Sequence, residues 1–309
     1  MKVLLTGATG FIGNAVLKEL ISQVNVDVRT YGRRLPNISS LNNVEHVSGE
    51  LGDVVKLRIA LAEIDVVIHC AALAHRPSRP DEFNCINTEA TLKLARQAVD
   101  AGVQRFIFIS SIGVNGCRSQ DKAFRHDDVV NPWEDYSVSK YVAEQALQHL
   151  ASETGLDVVI IRPPLVYGPN APGNFGKLLN AINRGLVLPL GSINNRRSFV
   201  ALDNLVDLIL ICSRHPLASN QIFLVCDDHD ISTTEFLKEM ALAAGKPSRL
   251  LPIPVSWLRL LGKLTGKEAV IERLCDNLQV DITFTKERLD WQPKVSVREG
   301  LRRCFYKGG

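Results

Sequence analysis

No apolar run in the 309-residue chain approaches the ~20 residues needed to cross a bilayer, so no transmembrane segment is expected. The seven cysteines (Cys70, Cys85, Cys117, Cys212, Cys226, Cys275, Cys304) are odd in number, scattered, and never in a C-x-x-C pair. That excludes a disulfide framework or zinc ribbon and fits a reduced, cytoplasmic protein whose thiols are small core residues. The histidines show no H-E-x-x-H or comparable spacing, so no metal is expected. Charge of one sign is lacking too. A net formal charge of +3, without a basic tract interleaved with aromatics, gives no ground for nucleic-acid binding. No charged leader with an apolar stretch precedes the first apolar run, so no secretory signal is expected.

What the chain does have is alternation. Over its first two thirds, short apolar runs alternate with helical periodicity, the pattern of βαβ units feeding a parallel sheet. Strands are predicted at 2–6, 26–31, 44–47, 66–70, 105–110, 157–162 and 221–226, and helices at 14–21, 54–61, 88–101 and 137–154. Pro163 and Pro164 end the sixth strand, and a Gly-, Pro- and Asn-rich stretch follows to Arg197. Beyond Asp230 helices such as 233–244 and 255–264 continue without strands at the earlier rhythm. The expected fold is α/β: a doubly wound parallel sheet with a smaller, mostly helical substrate domain. Residues 1–165 form the dinucleotide-binding part, 198–228 return to it, and 166–197 with 229–309 form the substrate-binding region. The helix at 255–264 is amphipathic and carries Arg259 and Lys263. It reads first as a packed surface helix of the smaller domain, and second as one lying on a membrane surface.

The opening segment Val3-Leu4-Leu5-Thr6-Gly7-Ala8-Thr9-Gly10-Phe11-Ile12-Gly13 reads as a buried strand, a glycine turn and a helix start. A helix N-terminus offers unpaired N–H donors and partial positive charge, and glycines let the backbone approach a pyrophosphate. Three glycines also serve tight packing alone, but in this setting a dinucleotide cradle is the expectation, with Gly7-x-x-Gly10-x-x-Gly13 one residue longer than G-x-G-x-x-G. Tyr136-Ser137-Val138-Ser139-Lys140 places a phenol and an ammonium four residues apart on one helix face. An ammonium beside a tyrosine favours the phenolate and brings proton exchange toward neutral pH. Y-x-x-x-K is also common on inert helices. Its weight here comes from the upstream strand Arg105-Phe106-Ile107-Phe108-Ile109-Ser110-Ser111, which ends in hydroxyls.

These motifs, with Arg162-Pro163-Pro164-Leu165-Val166-Tyr167-Gly168-Pro169, resemble the extended short-chain dehydrogenase/reductase family of nucleotide-sugar enzymes over nearly the whole chain. The resemblance implies a Rossmann sheet and a set of roles. Tyr136 becomes the proton donor or acceptor, Lys140 its partner and a ligand of the nicotinamide ribose, and Ser111 the substrate-orienting hydroxyl. Gly7, Gly10, Phe11, Ile12 and Gly13 would cradle the cofactor, with Glu50, Leu51, Ala71, Ala72 and Pro163 lining it and Asn87 as a helix-start asparagine. Arg197 would grip a diphosphate, unless it and Arg196 are a solvated basic pair. Asn174 would be a loop contact to substrate and Arg273 a second phosphate ligand. A homodimer through helices 88–101 and 137–154 is also implied.

Departures from the family pattern narrow the expectation. Gly32 stands where NAD-preferring relatives carry an acidic residue, and Arg33 and Arg34 follow it. Two guanidinium groups suit a 2′-phosphate, so NADP(H) is expected ahead of NAD(H), an ordinary basic loop being the alternative. Ile112 and Gly113 replace the acid pair of 4,6-dehydratases, which disfavours dehydration. Asn115 replaces the tyrosine of V-Y-G. The whole is most similar to the bacterial branch that makes UDP-N-acetylquinovosamine for surface polysaccharide. The expected activity is NADPH-dependent reduction of the 4-keto group of a UDP-4-keto-6-deoxy-N-acetylhexosamine, with a UDP-hexose 4-epimerase holding NAD, or a non-catalytic NADP(H) sensor, as alternatives.

Overall fold

The structure is a computed structural model that describes residues 1–37, 44–74 and 78–305. In chain order the elements begin β1 (Lys2–Thr6), α1 (Phe11–Ile21), β2 (Asp27–Gly32), β3 (Val44–Ser48), α2 (Val54–Leu61) and β4 (Val66–His69). Next come α3 (Pro80–Phe83) and α4 (Ala90–Asp100), joined by a π-helical turn at Asn84–Glu89, then β5 (Arg105–Ile109), α5 (Asp135–Thr154), β6 (Asp157–Arg162), β7 (Leu165–Tyr167) and α6 (Gly173–Asn183). The chain continues through β8 (Phe199–Ala201), α7 (Leu202–Cys212), β9 (Ile222–Leu224), α8 (Thr233–Ala243), α9 (Val255–Leu264), α10 (Glu268–Cys275), α11 (Thr283–Leu289) and α12 (Val297–Phe305).

Seven strands form one parallel sheet in the order β3-β2-β1-β4-β5-β6-β9. Its central strands β1, β4, β5 and β6 are apolar on both faces because both faces are covered. Val3, Leu5, Ile107, Ile109, Val159 and Ile161 pack on the side of α1 and α7. Their chain neighbours Leu4, Phe106, Phe108, Val158 and Ile160 pack on the side of α2, α4 and α5. This period-two partition fixes the register, since a one-residue slip exchanges the two cores. A third cluster gathers Tyr167, Phe175, Phe199, Phe236, Met240, Leu258 and Leu301, beside the two-stranded sheet of β7 and β8. The strand order reverses between β1 and β4, and ligands of open α/β sheets bind at the carboxyl ends of such a pair.

The expected elements recur with shifted ends. α1 starts at Phe11 rather than 14, because the Gly7 carbonyl accepts from Gly10 N at 2.8 Å and so closes the turn directly onto the helix. The helix expected at 88–101 is the end of a continuous run from Pro80. The short strand β7 lies in the Gly-, Pro- and Asn-rich stretch, and β8 begins just beyond its end at Arg197. The thiols are a partial correction: Cys212, Cys226 and Cys275 are buried, but Cys85 and Cys117 are exposed, one on the outer side of the π-helical turn and one on the loop after β5.

Candidate active site

The glycine turn sits where β1 and β4 end side by side. Gly7 has φ +72°, and a Cβ there would lie 2.6 Å from Ala71 N. A Cβ on Gly13 would lie 2.2 Å from the Gly7 carbonyl oxygen. The first turn of α1 holds no acidic side chain, so its N–H donors and dipole are open to an anion. Phe11 and Ile12 are half-buried; Phe11 reaches across to Gly168, whose Cβ position is 3.4 Å from its ring. Ala71 is half-buried and Ala72 exposed at the end of β4, and the buried Pro163 accepts a bond from Ile112 N at 2.9 Å. Gly13→Ala must push the Gly7 carbonyl aside. Affinity for NADH, followed by fluorescence titration, is expected to fall by about tenfold or more.

Ser111 follows β5 in extended backbone and caps a short turn, its Oγ accepting from Gly113 N at 3.1 Å. Tyr136 is the second residue of α5 and packs edge-on to Phe83, ring centroids 6.1 Å apart. Its hydroxyl has no protein partner among the described residues; its carbonyl accepts from Ser139 Oγ at 2.8 Å. One turn on, Lys140 is 2 % exposed, donates to the Ile109 carbonyl at 2.8 Å and stands 4.4 Å from the Phe108 ring centroid. Burial pushes the Tyr136 phenol up to about 12 and the Lys140 ammonium down to about 8. The expected lowering of the phenol by Lys140 is therefore corrected: the ammonium is tied to a backbone carbonyl, and desolvation rules the tyrosine.

That desolvation has a stability signature. The folded Lys140 releases its proton near pH 8 and the unfolded one near 10.5, so from pH 8 to 10.5 the unfolded state holds more protons and stability rises with pH. Below pH 8 the cost of burying the ammonium is fully present. Lys140→Met is expected to raise the melting temperature of the cofactor-free protein at pH 7. It should also abolish the wild-type's extra rise of ~3 kcal/mol between pH 8 and 10.5, measured by denaturant titration.

Beneath these residues lies a buried ionic network the sequence reading did not assign. Arg162, at the end of β6, donates from Nε to Glu144 Oε1 at 3.0 Å and from Nη2 to Oε2 at 2.6 Å. Its Nη1 donates to Asn115 Oδ1 at 3.0 Å, and Asn115 Nδ2 donates to the Arg125 carbonyl at 2.9 Å. Ser110 Oγ donates to Glu144 as well. Asn115, an unexplained departure in the sequence, thus supplies the acceptor for a free donor of Arg162 and ties down the loop after β5. The signal was available: Glu144 continues the four-residue step Tyr136, Lys140, Glu144 into an otherwise apolar face. His69 is also structural. It is held between Thr6 Oγ1 (2.7 Å) and Thr91 Oγ1 (2.9 Å), and burial pushes it down to about 3, so it is neutral. Asn87 sits in the π-helical turn, not at a helix start, and clamps both backbone groups of Leu73.

At the other ribose position, Arg33 and Arg34 are exposed beyond β2, and nothing lies within 4 Å of a Cβ built on Gly32. Glu50 is exposed and Leu51 half-buried; the Glu50 carbonyl accepts from Tyr31 at 2.6 Å. Neither 112 nor 113 offers a carboxyl to the cleft: Ile112 is core, and a Cβ on Gly113 would lie 2.3 Å from Ser137 Oγ.

Arg197 is buried, not a solvated cation, and donates to the Asp276 carbonyl at 2.9 Å. Burial pushes it down to about 10; Asp276 opposes the shift and the neighbouring Arg273 adds to it. Arg273 is paired with Glu134, and Arg196 is exposed. Asn174 is exposed in the first turn of α6, a correction of its expected place in a loop.

The chain is 42% identical to a UDP-glucose 4-epimerase of Vibrio cholerae, covering 97% of this chain and 93% of that one. It is 27% identical to the N-acetyl-alpha-D-glucosaminyl-diphospho-ditrans,octacis-undecaprenol 4-epimerase of Escherichia coli O157:H7, over 91% of this chain and 87% of that one. Among solved structures, MoeE5 in complex with UDP-glucose and NAD is 25% identical with a TM-score of 0.80, covering 99% and 97% of the two chains. Residues 3–226, which include the glycine turn, Ser111, Tyr136 and Lys140, match the NAD dependent epimerase/dehydratase family, and the chain belongs to it.

Proposed function

We propose that the protein is a UDP-hexose 4-epimerase that keeps its NAD through the cycle. The observation that supports this reading is that Ser111 follows β5 and that Lys140, one turn on from Tyr136 in α5, donates to Ile109 at the end of that strand, in the same sheet whose first strand ends in the glycine turn. This arrangement occurs in a chain 42% identical, over nearly its full length, to the Vibrio cholerae UDP-glucose 4-epimerase. Bound nicotinamide would supply the hydride acceptor and donor. Ser111 Oγ would hold the sugar O4, and Tyr136 would take the O4 proton as the carbinol is oxidised and return it as the ketone is reduced. Lys140 would hold the nicotinamide ribose, and Arg197 with Arg273 the diphosphate, so that the sugar turns about a fixed anchor. In this reading residues 1–165 and 198–228 hold the cofactor, and 166–197 and 229–309 the sugar nucleotide. The test is incubation of the purified protein with UDP-glucose and no added nucleotide. UDP-galactose should form and NAD should co-purify; absence of interconversion removes the reading.

A second reading is favoured by one feature, Arg33 and Arg34 beside the open position at Gly32, where a 2′-phosphate would find two cations and no carboxylate. In it the protein spends NADPH to reduce the 4-keto group of a UDP-4-keto-6-deoxy-N-acetylhexosamine toward UDP-N-acetylquinovosamine. The neutral phenol of Tyr136 suits the donation that a ketone oxygen needs as it becomes a hydroxyl. Stoichiometric loss of NADPH absorbance with the keto sugar distinguishes it from epimerisation, which consumes none.

A further inference from the structure

We propose that α9 docks the protein on the surface of a bilayer containing anionic lipid. Trp257, Leu260, Leu261 and Leu264 recur at i, i+3, i+4 and i+7, so they form one stripe along the helix. They are 66, 56, 52 and 75% exposed. The helix cannot roll to hide them. Its inner face is fixed by the buried Leu258 and Gly262, and a Cβ on Gly262 would lie 2.9 Å from Ile271 of α10.

Charge identifies the occupant. Between Glu239 and Glu268 the sequence has no carboxylate but five cations, Lys246, Arg249, Arg259, Lys263 and Lys267. These exceed the net charge of the whole chain, +3, so the remainder of the protein is net acidic. Arg259 is engaged by Asp276 at 2.7 Å, and Lys263 stands 3.8 Å from Glu268. Lys246, Arg249 and Lys267 have no acidic partner among the described residues. An amphipathic helix flanked on both sides in the sequence by cations without acidic partners matches an anionic interface, into which its apolar side sinks ~5–10 Å. A protein partner fits less well, because one stripe of four side chains on a ten-residue helix cannot supply the ~800 Å² that each side of a stable pair buries. The attachment is peripheral, since no helix among the described residues is long and apolar enough to cross a membrane. It stands apart from the choice of reaction.

The test is co-sedimentation of the full chain with vesicles of phosphatidylcholine alone or with about 30% phosphatidylglycerol. Partition should be about tenfold stronger on the anionic vesicles and weaken as salt is added. Leu260→Ser with Leu264→Ser should lower it about tenfold or more, with turnover and melting temperature unchanged because both positions face solvent. Three results overturn the proposal: no vesicle binding by the wild-type; binding indifferent to lipid charge and to the double substitution; or a dimer, seen by analytical ultracentrifugation without lipid, that the double substitution dissolves, which assigns the face to a second copy of this chain.

Discussion

Tyr136→Phe is expected to lower kcat by about 100- to 10,000-fold while leaving cofactor affinity and melting temperature near their wild-type values. The phenol is the one group on this face of α5 with a transferable proton and no structural duty. Its ring packs against Phe83 through the edge that phenylalanine retains, and among the described residues its hydroxyl bonds to no protein atom. Removing the oxygen therefore orphans nothing and opens no cavity larger than the atom itself. A loss of turnover confined to kcat, with an unchanged thermal transition, is the signature of a group used in the transition state. The pH profile carries a second expectation. A phenol held near 12 by burial is protonated at neutral pH, so the half-reaction that oxidises the carbinol should quicken with pH, whereas the half-reaction that reduces the ketone should stay level until the phenol begins to ionise. Single-turnover rates of the two half-reactions across pH 6 to about 10 check this.

The sheet was legible because its strands are covered on both faces, which writes them as unbroken β-branched runs such as Val66-Val67-Ile68 and Val158-Val159-Ile160-Ile161. The glycine turn was legible because Gly7 and Gly13 leave no room for a Cβ, a demand that only glycine meets. Spacing alone brought Tyr136 and Lys140 onto one face. What stayed hidden depends on the third dimension. The continuity of helix across Asn84 and Asn87 rests on Asn87 spending its amide on Leu73 and Ser139, a tertiary contact that overrides weak helix propensity. The direction of the Tyr136 shift followed from burial and from the Ile109 carbonyl that claims the Lys140 ammonium, and neither can be read from Y-x-x-x-K. Arg196 and Arg197 are adjacent and chemically identical in the sequence. The short pairing of Arg197 with Ile231 and Leu278 turns one inward and leaves the other in water.

Glu144→Gln is expected to destabilise the protein by ~3–5 kcal/mol, the cost of leaving one buried charge without its partner. The Arg162 and Glu144 side chains are 3% and 1% exposed, so water cannot replace the lost carboxylate. A glutamine offers one acceptor where Arg162 Nε and Nη2 and the Ser110 hydroxyl together use both carboxylate oxygens, and it brings an amide N–H₂ toward donors. Removing both charges should be far milder: in Glu144→Gln with Arg162→Met, a large part of the loss should return, giving a strongly non-additive double-mutant cycle by urea denaturation. Additive single effects would mean that the two side chains stabilise the fold separately. The same network should also let a residue away from the substrate edge bear on turnover. Glu144 joins the ends of β5 and β6 to α5, holding Ser110, next to Ser111, in fixed relation to the helix that carries Tyr136 and Lys140. Asn115 extends that hold to the loop reaching Arg125. Asn115→Leu, which leaves Arg162 Nη1 without an acceptor but keeps the ion pair, should therefore lower kcat more than it lowers stability, because catalytic geometry fails at displacements of about 1 Å that a fold tolerates.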